Sequence, residues 1–189
     1  MIKLSQSLAF KLSYEKDYGM VNEREKDLVS DLRSVGLDVF TSQQLRDTTD
    51  VYPEAIPILI KYLSLTKDEG VIDTIIRSLT VKEAVGLAFD PIYEMYLKEK
   101  DTTLYGVKAS MANALSHLAE KKDITKLKEL LIDKSHGFTR IYFFDKIVKS
   151  ANKDNIIEIK NILMDLEHDD IEGIRNIVTK ALKKKKFQD

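Results

Sequence analysis

The chain has 189 residues, 43% hydrophobic and 32% charged, which excludes intrinsic disorder and a membrane-embedded protein and fits one domain with a real core. The 30 basic and 31 acidic side chains leave a net charge of −1, so no global field recommends a polyanion or a membrane surface as partner. Without cysteine there are no disulfides, thiolate metal sites or thiol nucleophiles, and 7 glycines with 3 prolines are few for a turn-rich all-β fold.

In chain order, Leu4 to Tyr14 is expected to form a weak helix. Its alternating polar residues and Lys11 leave no apolar core for an export signal. No stretch approaches the roughly 20 apolar residues of a membrane span, and a cytoplasmic location is the expectation. Glu23 to Val35 predicts an amphipathic helix with Leu28, Leu32 and Val35 inward, ended by Gly36. Phe40 and Leu45 should anchor the connection that follows. Residues 1–50 thus read as N-terminal capping helices of the same domain.

From residue 51 the chain repeats itself. Pro57 to Leu63 aligns with Pro91 to Leu97 at an offset of 34, again with Thr125 to Leu131, and at 32 more with Ile157 to Leu163. Leu63, Leu97, Leu131 and Leu163 are expected to hold one position in four copies of a first, or A, helix. A second, or B, helix follows each. There Leu79, Leu115, Val148 and Leu182 share one buried position, with Ile75, Met111, Phe144 and Val178 one turn earlier. The repeats cover about 51–80, 81–119, 123–151 and 154–186.

Local signals agree with that division. Pro53 suits the first turn of the first A helix, and Pro57, placed deeper, predicts a bend. Thr80 with Glu83, and Asp169 with Glu172, have the spacing of capping boxes. Asp123, Ser135 and Asp154 suit N-caps. Lys183 to Lys186 follow the last B helix, where cations favour the helix dipole and keep a terminal repeat soluble.

Two-helix units of this length are the mark of an α-solenoid. A TPR array would want its tryptophan-leucine-glycine element, and the chain has no tryptophan. The four A-helix leucines, the B-helix column, and the basic Arg77, Lys146 and Lys180 resemble the HEAT-repeat family over Val51 to Lys186. Asn113 departs from that basic position. Asp27 to Gly36 and Tyr52 to Pro57 also resemble the opening of uncharacterised bacterial HEAT-repeat proteins.

The resemblance implies an all-α fold: a right-handed α-solenoid of about four HEAT-like helix pairs, with the B helices lining the concave face. Two columns would then run down the groove. One is Asp73, Ala109, Tyr142 and Asn176; the other is Arg77, Asn113, Lys146 and Lys180. At helix spacings of roughly 8–10 Å the groove would measure on the order of 35–40 Å, enough for a peptide or helix of a partner.

Catalytic chemistry finds little support in the residues. His117, His136 and His168 stand apart from any cluster with metal-ligand spacing. HEAT-fold iron hydroxylases carry repeated histidine-glutamate pairs, and no His-Glu dipeptide occurs here. Glycine-rich phosphate loops and a GxSxG elbow are absent. Glu167-His168-Asp169 reads as a loop-edge triplet, and Asp169-Asp170 as an exposed capping pair.

Charge and aromatic placement say more. Residues 1–100 carry a net −4 and residues 101–189 a net +3, a mild dipole that could orient a partner. In the third B helix, His136 to Ala151, most aromatics read as core. Tyr142 is expected to be partly exposed, because Asp73 and Asn176 take its register in other repeats.

The expected activity is therefore that of a non-enzymatic protein-binding scaffold or adaptor with no cofactor or metal. Asp73, Arg77, Asn113, Tyr142, Lys146, Asn176 and Lys180 would contact a protein or peptide partner, and neither nucleic acid nor a membrane is expected as one. The alternative is a DNA-binding or DNA-repair protein resembling HEAT-like alkylpurine DNA glycosylases, opposed by the near-neutral charge and the lack of tryptophan for a stacking pocket. A small-molecule enzyme on the same fold is a third, weaker reading.

Overall fold

The computed structural model describes residues 23–188 apart from residue 104; the helix expected at Leu4 to Tyr14 lies outside them. Among the described residues the fold is all-α, with ten α-helices linked by short 3-10 turns. The chain divides into two compact units, Met1–Leu97 and Lys98–Asp189.

In the first unit, α1 (Lys26–Ser34) packs on α3 (Ala55–Leu65), α2 (Gln43–Arg46) packs on α4 (Glu69–Ser78), and α3 packs on α4. Leu28, Val29 and Leu32 bury one face of α1, whereas Val35, expected inward, is exposed. Gly36, at φ 91, ends the helix in a Schellman motif. Its N–H donates to Arg33 O at 2.9 Å, and the Leu37 N–H donates to Leu32 O at 3.2 Å. Leu45 is fully buried, and half-buried Phe40 lies under the Arg33 guanidinium at 5.0 Å. The buried Glu25 carboxylate accepts from the Ser42 N–H at 2.9 Å and its hydroxyl at 2.5 Å.

The bend expected at Pro57 has no hydrogen-bond cause in helix α3. Pro57 is the third residue of the helix, among the first four N–H groups that have no intrahelical acceptor, so its missing donor removes no bond. Pro53 lies in the preceding turn. Pro91 takes the same third position in α5 (Phe89–Lys98). Yet α3 buries Ala55, Ile56, Leu59 and Leu63 while Ala88, Phe89, Ile92 and Tyr96 are buried in and just before α5, an offset of 33 read from those positions. The prolines mark where a helix begins; the apolar stripe decides which face packs. Leu97, aligned with Leu63 in sequence, is therefore 49% exposed.

The second unit holds α6 (Val107–Leu118), α7 (Ile124–Ile132), α8 (Ile141–Ser150), α9 (Ile156–Asp165) and α10 (Glu172–Leu182). Helix α7 packs on α8 and α9 on α10, while α8 lies against both α6 and α10. Met111, Leu115, Phe144, Val148 and Val178 are buried as the B-helix column requires, with Leu182 half-buried.

Capping differs from expectation. Asp68 caps α4 by accepting the Val71 N–H at 3.1 Å. Asp123 stands at the N-cap position of α7 as expected, but its carboxylate accepts from the Glu120 N–H at 2.9 Å, closing a capping box on the preceding 3-10 turn. Ser135 is itself served by Asp133, and Asn155 stands at the α9 N-cap in place of Asp154. Thr80 donates back to Ile76 O instead of capping forward.

The third B helix starts late. Lys134–Arg140 is a 3-10 segment kinked at Gly137, which has φ 55 and ψ −136. A Cβ there would meet the Thr102 Cβ and hydroxyl at 2.8 Å. Gly137→Ala is thus expected to cost roughly 1–3 kcal/mol in urea unfolding, from strained backbone and collision together. Among the described residues no helix is long and apolar enough to cross a membrane.

Candidate functional site

Helix α8 is amphipathic by simple spacing. Phe143, Phe144, Ile147 and Val148 are buried, which leaves Tyr142, Lys146 and Lys149 at i, i+4 and i+7 along the opposite edge. Beside that edge lies a cleft of about 650 Å³, walled by Asn113 and His117 from α6, Tyr142, Lys146 and Lys149 from α8, and Ile177 from α10. Phe144 and Ile141 give it an apolar floor. Tyr142 is half-buried, and its hydroxyl has no hydrogen-bond partner among the described residues. A ring seated in a wall with a wet hydroxyl suits a contact anchor. The exposed His117 ring sits with Nδ1 3.0 Å from Asn113 O.

The seven expected contact residues fall in both units. Asn113, Tyr142 and Lys146 meet at this cleft. Asn176 and Lys180 are exposed on α10 and do not line it, although Ile177 between them does. Asp73 and Arg77 lie on α4 of the first unit and join one another at 2.7 Å, the ordinary i,i+4 helix-surface pair. Phe138, expected as core filler, is half exposed in the 3-10 segment.

Sequence reasoning missed a buried ionic network next to α8. Arg140 and Asp169 are respectively 1% and 0% exposed and form a bidentate pair at 2.9 and 2.8 Å. The same guanidinium donates to Leu131 O and Gly137 O, each at 3.1 Å. Asp169 also accepts the Ile171 N–H at 2.9 Å, and its carbonyl accepts from Arg175 at 2.5 Å. The pair therefore ties the end of α7, the kinked 3-10 segment and the start of α10 together. Burial pushes the Asp169 carboxyl upward, but the Arg140 and Ile171 hydrogen bonds outweigh it and hold the group below its ordinary value. Asp169, read in sequence as an exposed cap, is a core counter-ion; Asp170 is the exposed member and pairs with Lys134.

Two more titratable groups are buried nearby. Lys108 donates to Glu99 O at 2.6 Å, and burial lowers its pKa against the pull of Glu99, Asp133 and Asp101. Burial also lowers His136, reinforced by the Lys108 and Arg140 charges and opposed by Asp133, 3.5 Å away. None of Lys108, His136, Arg140 and Asp169 lines the cleft beside Tyr142, so the network supports packing there and touches no ligand in it. Among the described residues no group of three or more His, Asp or Glu side chains could hold a metal ion.

Compared with protein-family models, curated proteins and solved structures, the chain matches none.

Proposed function

We propose that the chain is a non-enzymatic, cytoplasmic binding module, a right-handed α-solenoid of HEAT-like helix pairs, whose second unit receives a segment of a partner protein in the cleft beside Tyr142. The observation that carries the reading is Tyr142 itself: a half-buried ring in the wall of a 650 Å³ cleft, with an unpartnered hydroxyl. Large, two-torsion aromatic side chains in such a setting dominate many interfaces, since they bury area at small entropic cost. The alternation of A and B helices over residues 55–182 supports the repeat reading.

Tyr142→Ala is expected to leave the denaturation midpoint nearly unchanged, because the core face of α8 is the opposite one. Display selection of random peptides against the full chain should yield binders that this variant loses, with affinity falling by about ten-fold or more. Binders that ignore Tyr142, or a midpoint that drops while binding survives, would make Tyr142 a packing residue and remove this site.

A further inference from the structure

We infer that the partner segment is acidic, carrying several Asp or Glu side chains around an apolar residue. Its carboxylates meet Lys121, Lys146 and Lys149, and its apolar residue packs beside Tyr142. The inference rests on the docking reading above and adds the chemistry of the occupant.

A second depression of about 770 Å³ lies along α8, lined by Ala119, Lys121, Ile124 and Lys128 and again by Lys146 and Lys149. The two clefts share the lysine pair, so Lys146 and Lys149 form a cationic ridge with an apolar-floored hollow on each side. Lys121, Lys146 and Lys149 make no ion pair among the described residues. Their neighbours are already committed: Lys128 binds Glu158 at 2.6 Å, and Glu120 binds Lys122 at 3.2 Å. Asp145 is the remaining carboxylate in the linings, which leaves a local excess of positive charge.

Lys134 finds Asp170 at 2.9 Å, whereas exposed Lys153 and Lys180, like the ridge lysines, make no ion pair among the described residues. Lys149, in the last turn of α8, answers the helix dipole. That explanation does not reach Lys146, which is half-buried one turn earlier, or Lys121 on a 3-10 turn. A half-buried lysine without a counter-ion, flanked by hollows, is complementary to an anionic segment. Three lysines, no arginine and one tyrosine suit a peptide with a few carboxylates better than a nucleic acid, whose binding neutralises a longer run of phosphates and uses several stacking rings.

The test titrates the full chain with three fluorescent pools of degenerate peptides of about 12 residues, each built round a central leucine. The variable positions are drawn from Asp and Glu, from Asn and Gln, or from Lys and Arg. A mixed-sequence single-stranded oligonucleotide of similar length is the fourth probe. The acidic pool should bind about ten-fold more tightly than the neutral one at low salt, with the advantage shrinking as salt rises. Lys146→Gln with Lys149→Gln should abolish that advantage, and Lys134→Gln should leave it intact. Equal binding of acidic and neutral pools, lost on Tyr142→Ala but indifferent to the lysine changes, overturns the acidic partner and leaves docking at Tyr142 standing. Failure of every pool to bind overturns both. Tighter, lysine-dependent binding of the oligonucleotide overturns the peptide assignment in favour of nucleic acid.

Discussion

Arg140→Ala is expected to destabilise the protein by about 3–5 kcal/mol, because it leaves the Asp169 carboxylate buried without its counter-charge. It also leaves Leu131 O and Gly137 O without this donor, each an added desolvation cost of order 1 kcal/mol or more. Asp169→Asn should be nearly as damaging, since it strands the guanidinium instead and keeps only a neutral acceptor for the Ile171 N–H. The control is Lys134→Ala. It breaks an ion pair with Asp170 whose side chains are largely exposed, and such pairs are worth about 0–1 kcal/mol.

The same pair makes acid stability diagnostic. The folded-state pKa of Asp169 lies below its ordinary value, so the native carboxyl binds a proton less readily than the unfolded one. Its contribution is present in full above the unfolded pKa of about 3.9 and is lost as pH falls through the lower folded value. Urea midpoints of the native chain should therefore fall steeply below about pH 4, and those of Asp169→Asn should fall less. Parallel pH curves for the two proteins would show that the pair does not set acid stability.

Which of these features the sequence could reveal depends on the range of the interaction. The alternation of helices was legible because each buried stripe is written at i, i+3 and i+4 within a dozen residues. Tyr142 was legible by comparing registers, since Asp73 and Asn176 at its position argue against full burial. Asp169 was misread because its spacing to Glu172 imitates a capping box, while its real partner lies 29 residues away. One signal was available: Arg140, Phe144 and Val148 are spaced by four, so a charged residue shares the stripe of two core residues. A charge on a core stripe calls for a buried partner. Lys121 and Lys128 escaped notice as site residues because only folding brings the 3-10 turn before α7 and the middle of α7 beside the end of α8. Asp73 and Arg77, assigned in sequence to two partner-contacting columns, join one another across a single helical turn.

The one-residue difference between helix start and packing face in α5 gives the other large effect. Tyr96 is fully buried, whereas its neighbour Leu97 is 49% exposed. Tyr96→Ala should cost about 3–5 kcal/mol, the range for removing a buried aromatic ring, while Leu97→Ala should stay within about 0.5 kcal/mol. Leu131→Ala, at a fully buried position of α7, supplies the yardstick at about 2–5 kcal/mol. The proline-based alignment predicts another order: Leu97 would match Leu131 as a core leucine and lose as much on truncation. Phe89 and Ile92 decide between them, because they precede Tyr96 by seven and four residues and are buried with it. Leu97, turned about 100° from Tyr96, lies off that stripe and is exposed. Denaturant midpoints of the three variants settle the register. Equal losses at Tyr96 and Leu97 would mean that α5 packs on both sides of its stripe, and a larger loss at Leu97 would restore the proline register.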